Sequence, residues 1–300
     1  MTIIKPMLAA KLEWDRVKYP VFVSPKIDGI RCVVEDGIGW SRSHKPLPNH
    51  HLQENLKHFG AVLNWFDGEV VVGEPSGPEV MNRTTSGVMS QDGLPIFRYM
   101  VFDYLENERD SYIKRLTCLR EKKPLLPPWC QVVPQTLCHD RQQVEEIEAK
   151  AHEDGYEGVI VRDPRAPYKQ GRSTATQGWL LKLKRYEDAE AVIIGFEELM
   201  HNENEAFTNV QGHTSRTSHK AGQRAGNVLG ALTCRLVSDP SVVFSIGTGF
   251  DFQQRETFWY DRAALMGKIV KFKYMPYGML GSTGVPRFPV FLSFRDEIDM

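Results

Sequence analysis

The sequence changes character near residue 187, and this change limits the possible folds more than any other feature. Before it, runs rich in β-branched and aromatic residues alternate with helical patterns. One helical pattern begins at Asp140, a residue type that commonly precedes helices, and ends at Gly155. Within it, Val144, Ile147 and Ala151 lie on one face. The first part of the chain is therefore predicted to be an α+β domain of antiparallel sheets and helices.

The second part is dominated by short strand patterns, which one helical pattern from Asp251 to Met266 interrupts. About five strands with one helix in a segment of this length are typical of a small β-barrel such as the OB-fold. We therefore expect two domains, residues 1–186 and residues 187–300. The stretch His201–Asn227 is rich in glycine and polar residues and predicts a long flexible loop inside the second domain. The strand patterns are Ala191–Phe196, Leu229–Val237, Val242–Ile246, Ile269–Tyr274 and Phe288–Phe294.

Charge is balanced over the whole chain but unevenly distributed along it. Lys and Arg number 37 against 38 Asp and Glu, and the net charge of −1 excludes a strongly basic coat. Two stretches, residues 165–186 and residues 262–295, nevertheless carry six cations each and no carboxylate. Such segregation indicates one basic face for a polyanion, although chance clustering on solvated surfaces gives the same pattern.

The sequence also limits the compartment and the class of protein. It has no apolar run of the roughly 18 to 20 residues that a membrane helix needs, and its first residues lack the apolar core of a secretory signal. The five cysteines are scattered without a Cys-x-x-Cys pair, which indicates neither a disulfide framework nor a zinc site. We expect a cytoplasmic protein with reduced thiols and no membrane partner. The lack of a Walker phosphate loop argues against a P-loop ATPase.

The first candidate for chemistry is Lys26-Ile27-Asp28-Gly29-Ile30-Arg31, in which three charged residues surround a glycine that permits a tight turn. Lys26 follows a strand pattern, so its side chain would be fixed at a strand end. Taken alone, the motif is equally compatible with a solvent-exposed turn. Five further motifs follow in order along the chain: Trp40-Ser41-Arg42-Ser43 with Lys45-Pro46-Leu47-Pro48-Asn49; Phe66-Asp67-Gly68-Glu69; Val101-Phe102-Asp103-Tyr104-Leu105; Glu157-Gly158-Val159-Ile160-Val161-Arg162; and Trp179-Leu180-Leu181-Lys182-Leu183-Lys184.

This ordered set resembles the covalent nucleotidyltransferase superfamily, and within it the ATP-dependent DNA ligases, most closely the short bacteriophage-type members. The resemblance extends from Pro6-Met7-Leu8-Ala9 to Arg295 and covers essentially the whole chain. It implies a nucleotidyltransferase (adenylation) domain followed by an OB-fold domain, in agreement with the division above. It also implies a monomeric enzyme that uses ATP and Mg²⁺, or Mn²⁺, to seal nicks in double-stranded DNA. Lysyl-AMP and 5′-adenylated DNA would be the intermediates, and pyrophosphate and AMP the released products.

The resemblance assigns the nucleophilic amine to Lys26. Free lysine titrates near 10.4, so the charged form is favoured at pH 7 by about 4 to 5 kcal/mol, and the site must offset much of this. Lys182, Lys184 and a bound Mg²⁺ are expected to lower the pKa of Lys26. Lys182 and Lys184 lie two apart in a strand pattern, so they would point to one face and share a phosphate. By analogy, Asp28 would orient the attacking groups and assist the 3′-hydroxyl of the nick.

The remaining family positions are expected to bind ATP, the metal and the nick. Arg31 would contact the ribose or a phosphate, although an Asp28–Arg31 pair that only braces the turn is an alternative. Phe102 would stack on adenine, whereas without the resemblance its strand pattern indicates core. Trp179 is at least as well explained as support for its strand. Ser24 would lie at the adenine edge, where an acidic residue is more usual in the family. Glu69 would bind the ribose and the metal, Glu157 the metal, and Arg42 the 5′-phosphate. Structural roles are the alternatives for Glu69, Glu157 and Arg42.

The last family motif, Arg-x-Asp-Lys, is only partly present. Arg295 is retained, but Glu297 and Ile298 replace the Asp and the Lys, which leaves Arg295 as the candidate for the pyrophosphate of ATP. In the stretch His201–Asn227, three cations are expected to grip DNA: Arg216, Lys220 and Arg224.

Three other functions are compatible with part of the pattern. An mRNA-capping guanylyltransferase shares the Lys-x-Asp-Gly motif and an OB domain but would use GTP, and RNA ligases form another branch of the same superfamily. A non-catalytic OB-fold binding protein with a degenerate first domain belongs to a different class. The segments Ser-Arg-Ser-x-Lys-Pro-Leu-Pro and Glu-Gly-Val-Ile-Val-Arg look more like a DNA ligase. Intact Lys26, Glu69 and Glu157 argue against degeneration.

Overall fold

The computed structural model describes residues 4–77, 79–210, 214–280 and 284–295. The chain divides into two compact units. Unit 1 consists of Met1–Lys184 with Thr208–His213, and unit 2 of Arg185–Phe207 with Thr214–Met300.

Unit 1 mixes strands and helices along its whole length. In chain order its elements are β1 (Met7–Leu8), β2 (Ala10–Lys11), a 3₁₀ turn (Trp14–Arg16), β3 (Val21–Pro25), β4 (Ile30–Glu35), β5 (Ile38–Trp40), α1 (His50–His58), α2 (Gly60–Leu63), β6 (Phe66–Val72), α3 (Val80–Val88), β7 (Phe97–Tyr104), α4 (Tyr112–Lys122), a 3₁₀ turn (Lys123–Leu125), β8 (Cys130–Val132), β9 (Thr136–Cys138), α5 (Arg141–Glu153), β10 (Val159–Arg162), β11 (Gly171–Arg172) and β12 (Leu180–Leu183).

Two five-stranded sheets form the frame of unit 1. The first has the strand order β5-β4-β6-β7-β8 and the second the order β2-β12-β10-β3-β9, while β1 and β11 form a small parallel pair. Most neighbours are antiparallel, as predicted, but the edge pairs β7–β8 and β2–β12 are parallel. The predicted α+β class is confirmed.

Helices cover the sheets, and two of them begin at a capping residue and pack an apolar face against the core. The Asn49 side chain accepts from Leu52 N–H at 2.9 Å and begins α1, which buries Leu52 and Leu56. Asp140 caps α5 in the same way, through Gln143 N–H at 2.9 Å, as its place in the sequence predicts. Burial of these apolar faces fixes the strand ends from which the candidate site residues project.

Unit 2 is built on one five-stranded sheet of order β17-β16-β13-β18-β19. The described hydrogen bonds do not close this sheet into the predicted barrel, although one bridge between Thr248 and Val290 links its two sides. No described helix of the chain is long and apolar enough to cross a membrane. The elements are β13 (Glu187–Asn202), β14 (Ala206–Thr208), β15 (Thr214–Arg216), a 3₁₀ turn (Lys220–Gly222), β16 (Gln223–Leu236), β17 (Val243–Ile246), α6 (Phe252–Tyr260), α7 (Arg262–Leu265), β18 (Ile269–Leu280) and β19 (Val285–Phe294).

Two predictions for unit 2 are wrong in detail. The single helix expected from Asp251 to Met266 is divided at Asp261, where one helix ends and the next begins. The long loop expected over His201–Asn227 is partly a ladder, because β13 continues to Asn202 and pairs there with Gln223. Backbone pairing between two long strands thus orders part of a stretch whose composition alone indicates a loop.

Candidate active site

The Lys26 side chain is positioned by the chain that follows β3. Its backbone N–H donates to the carbonyl of Gly158 at 2.8 Å and so ties this loop to the entry of β10. Gly158 has a φ of +145°, and a Cβ there would lie 2.2 Å from the carbonyl oxygen of Leu183, so only glycine fits. Three motifs, those containing Lys26, Glu157 and Lys184, therefore meet at one point.

An ion cluster occupies that point. The Glu157 carboxylate, with a side chain only 2% exposed, accepts from Lys26 Nζ on Oε2 and from Lys184 Nζ on Oε1. Two ammonium groups therefore share one carboxylate. Burial and repulsion from Lys184 and Lys26 lower the pKa of Lys182, the other lysine on this face of β12. The local charge is positive and suits an anionic group such as a phosphate.

The pKa of Lys26 is raised, contrary to the expectation that its cationic neighbours lower it. Burial favours the neutral amine, but the attraction and hydrogen bond of Glu157, together with the charges of Glu69 and Asp28, outweigh burial. Lys184 shows the opposite balance, because burial and repulsion from Lys26 lower its pKa. For the neighbouring lysines the expectation was wrong, because it did not include a carboxylate bound directly to the nucleophile. The effect of a bound Mg²⁺ stays a prediction. At rest, the structure holds the Lys26 amine in its protonated form.

A second cluster surrounds Arg31 on β4. Its guanidinium binds the fully buried Asp67 through two hydrogen bonds of 2.6 Å, and Tyr168 Oη donates to the same carboxylate at 2.7 Å. Glu69 Oε1 lies 4.0 Å from Arg31 Nη1, and the Arg31 guanidinium lies 4.7 Å from the centre of the Phe102 ring. The carboxylate that braces Arg31 is thus Asp67, whereas the sequence analysis considered Asp28 for that role.

Sequence reasoning missed Asp67 and Tyr168. Asp67 was available, because it lies two residues before Glu69 on the strand β6 and therefore faces the same side of the sheet. Tyr168 carries no such signal, since it lies in a loop 101 residues from Asp67. Its hydroxyl also accepts from Met7 N–H at 2.8 Å, so it joins the start of the chain to the site.

The Glu69 carboxylate gives a prediction for the pH dependence of stability. Burial, opposed in part by Arg31 and Lys26, raises its pKa from 4.5 to about 8. An acid with a raised pKa in the folded state stabilises below its unfolded pKa and loses that contribution as the pH rises through the folded value. The wild type should therefore lose stability between pH 4.5 and about 8. Glu69→Gln should not lose the part of this stability that comes from the ionisation of Glu69.

Urea unfolding at about pH 5 and about pH 9 measures this effect, because the free energy of unfolding of Glu69→Gln relative to the wild type should rise between them. Glu74→Gln, at an exposed position beyond the end of the same strand, is the matched control. A difference between Glu69→Gln and wild type that does not change with pH would contradict the prediction.

The other predicted nucleotide residues lie in unit 1 near these clusters. Asp28 is buried and close enough to Lys26 to help raise its pKa. Ser24 is buried on β3, opposite Ile160 of β10. Phe102 is half-buried on β7 and packs on the small apolar cluster that contains Ile27. Trp179 packs, half-buried, on the cluster around Met7 and Tyr168, in agreement with the alternative that it supports its strand.

Arg42 follows β5 and lies in a cationic environment. Burial and repulsion from Arg172 and Arg31 lower its pKa, and Glu69 opposes them. Arg172 itself donates to the carbonyl of Ala9 at 3.0 Å. The Arg42 guanidinium, repelled by two other guanidinium groups, would be stabilised by a phosphate bound to it.

The candidates in unit 2 are held by neighbours of their own unit. Arg216 donates to the carbonyl of Asn204, and Arg224 Nε lies 3.0 Å from Glu203 Oε1. Lys220 is exposed in a 3₁₀ turn. Arg295 Nη1 lies 2.9 Å from Glu190 Oε2. Asp296, Glu297 and Ile298, which complete the last motif, lie outside the described residues.

Two family models match the sequence. The ATP dependent DNA ligase domain matches residues 6–184, and the DNA ligase OB-like domain matches residues 222–295. Among curated relatives, a DNA ligase of Haemophilus influenzae is 26% identical over 271 residues, which are 90% of this chain and 84% of that protein.

Solved structures agree with the family models. A Chlorella virus DNA ligase-adenylate is 33% identical, with 98% of this chain and 100% of that chain covered and a TM-score of 0.55. A Lig E DNA ligase, described as binding DNA with a minimal scaffold, is 25% identical, with a TM-score of 0.68 and 98% and 100% coverage. These matches confirm the predicted family and the predicted pair of folds. The chain belongs to the ATP-dependent DNA ligases, enzymes that seal nicks in DNA through a lysyl-AMP intermediate.

Proposed function

We propose that Lys26 is the nucleophile of self-adenylylation and that Lys182, Lys184 and Glu157 surround the phosphates of ATP. The supporting observation is the convergence of Lys26 Nζ, Lys184 Nζ and the Glu157 carboxylate in one buried cluster. In this step the neutral amine of Lys26 forms a bond to the α-phosphorus, and the bond between that phosphorus and pyrophosphate breaks. The proton that Lys26 holds at rest has to leave before the attack.

The carboxylates of the site fit a hard divalent cation. Glu157 and Glu69 would supply oxygen ligands, and the described residues contain no group of three or more metal-binding side chains. Mg²⁺ is usually held in this way, by one or two carboxylates together with substrate phosphates, and Mn²⁺ is the alternative. When bound, the ion would neutralise the charge of the departing pyrophosphate.

The remaining side chains divide between the nucleotide and the nick. We assign Phe102 to the face of adenine, Ser24 to its edge, Glu69 to the ribose and Arg295 to the pyrophosphate. Arg31, braced by Asp67, would bind the ribose or a phosphate. For the final step, Asp28 would assist the 3′-hydroxyl, which displaces AMP from the 5′-adenylate, and Arg42 would hold the 5′-phosphate.

The proposed substrate is nicked double-stranded DNA, bound by a cytoplasmic monomer with domains at residues 1–186 and 187–300. One experiment tests the nucleotide and the nucleophile together. The protein is incubated with α-labelled ATP or α-labelled GTP, run on a denaturing gel, and digested to map the labelled peptide. Label from ATP on the peptide that contains Lys26 supports the proposal. Label from GTP would indicate a capping guanylyltransferase, and label on another lysine would overturn the assignment.

The cations of the stretch His201–Asn227 give a prediction for DNA binding. A phosphate grip releases counterions, so affinity falls by roughly 0.9 log units per log unit of salt for each phosphate neutralised. Replacing Arg216, Lys220 and Arg224 together by alanine should flatten the salt slope for nicked duplex by up to about three units. Adenylylation of Lys26 should be nearly unchanged, because it needs ATP and not DNA.

The measurement uses non-sealable nicked duplex at several salt concentrations. The matched control replaces Lys57, Lys114 and Lys150, which removes the same charge from exposed positions on three helices of unit 1. An equal slope in both triple variants would show that the stretch has no specific contact with phosphates.

A further inference from the structure

Phe102 stands at an irregularity of the strand that carries it. In the pairing of β6 with β7, Asp67 lies opposite Asp103 and Gly68 lies opposite Val101, so Phe102 is the extra residue of a β-bulge. A bulge leaves its extra residue unpaired and re-aims its side chain. The ladder alone therefore does not hold the Phe102 ring in one direction, and other contacts have to do so.

Arg31 of the same sheet supplies one such contact, with its guanidinium 4.7 Å from the ring centre, and a buried ionic cluster beside the ring supplies the others. Asp103, fully buried, accepts from Arg115 Nε at 2.7 Å and from Arg162 Nη1 at 2.5 Å. The guanidinium of Arg162 also lies 5.2 Å from the centre of the Phe102 ring and 4.6 Å from that of Tyr112. Tyr112 Oη in turn donates to the carbonyl of Phe102 at 3.1 Å.

Arg162 differs from Arg115 in what it connects. Arg162 belongs to β10 of the second sheet, the strand that follows Glu157, whereas Phe102 and Asp103 belong to β7 of the first sheet. Arg115 comes from α4 and is in contact with the rings of Tyr112 and Tyr168. Arg162 thus binds the ring of Phe102 and the neighbouring carboxylate at once, from the sheet that carries the lysine cluster.

We propose that Arg162, held by Asp103, is a positioning residue that fixes the Phe102 ring relative to the lysine cluster, so that the base and the α-phosphate of one nucleotide fit together. A buried guanidinium is attracted to the negative face of an aromatic ring, and the hydrogen bond from Arg162 Nη1 to Asp103 holds this guanidinium beside the ring. Lysine keeps the charge but loses the planar group that lies over the ring. The proposal rests on the assignment of Phe102 to adenine.

The test is a double-mutant cycle on the KM of ATP in self-adenylylation, with Phe102→Leu, Arg162→Lys and the double variant. Phe102→Leu should raise this KM by about five- to a hundredfold, the range for stacking of a base on an aromatic side chain. Arg162→Lys should raise it by a similar or smaller factor, with kcat changed less. If Arg162 acts through Phe102, the double variant should show no more than the effect of Phe102→Leu alone.

Controls separate this role from loss of structure. Arg98→Lys, on the same strand β7 but paired with Glu74 at the surface, should leave the KM unchanged. Circular dichroism confirms folding, and if Arg162→Lys does not fold, Asp103→Asn replaces it in the same cycle with the same expectation. If the double variant raises the KM of ATP by the product of the two single-variant factors, the positioning role of Arg162 is overturned. An unchanged KM in Phe102→Leu would instead overturn the assignment of Phe102 to adenine.

Discussion

Lys26→Ala should abolish the transfer of label from α-labelled ATP to the protein, while sealing of a nick that already carries a 5′-adenylate should persist weakly. The first step needs the Lys26 amine as a nucleophile, and alanine has none. The later step attacks an adenylate that is already on the DNA and uses the rest of the site. This difference between the steps separates loss of the nucleophile from general damage.

The measurements are a denaturing gel for the labelled protein and a sealing assay on preadenylated DNA. Lys18→Ala removes an exposed lysine outside the site and should retain both activities. An acid-labile adduct on Lys26→Ala would show that another residue is the nucleophile. Loss of both activities together, with a lowered melting temperature, would show that Lys26 is needed for folding instead.

The sequence predicted that Lys26, Glu157 and Lys184 share one site, but not how their charges balance. Lys26, Glu157 and Lys184 stand in three separate motifs, and the resemblance to one family was enough to place them together. Whether the pKa of Lys26 is raised or lowered depends on the two oxygens of Glu157, each of which binds one lysine. That geometry comes from the carbonyl of Gly158 and the close approach of Leu183, which no local pattern indicates.

The same distinction between local and long-range information applies to the fold. Asp140 was recognised as a helix start because capping depends on residues three positions apart. The ladder that joins Asn202 to Gln223 depends on two distant strands, and the break at Asp261 follows no glycine or proline signal, so neither was predicted. Tyr168 was missed for the same reason, since its partner Asp67 is distant in sequence.

Glu157→Gln should have the second largest effect on activity. It should lower the adenylylation of Lys26 but raise the reactivity of the Lys26 amine toward other reagents. Adenylylation should fall strongly, by about 10²- to 10³-fold if Glu157 supports charge that develops in the transition state. Excess chelator should likewise stop the wild type if Glu157 holds the metal. The intrinsic reactivity of the Lys26 amine should rise, however, because Glu157 contributes most to raising its pKa.

The sign of this second effect follows from the charges. With glutamine at position 157, burial and the neighbouring Lys184 both favour the neutral amine of Lys26, and no carboxylate at position 157 opposes them. At a fixed pH near 8, a small neutral acetylating reagent should therefore label Lys26 faster in Glu157→Gln than in the wild type, as measured by peptide mass spectrometry.

Unfolding would also expose Lys26, so the comparison requires a variant whose melting temperature matches the wild type. The matched control is Glu153→Gln, the same change at an exposed helix end four residues earlier, and Lys150 serves as an exposed lysine whose labelling should not change. Adenylylation of Glu157→Gln at the wild-type rate would show that Glu157 has no role in this step. Slower labelling of Lys26 in that variant would mean that Glu157 does not hold the nucleophile protonated at rest, because removing a carboxylate that does so can only increase the neutral fraction of the amine.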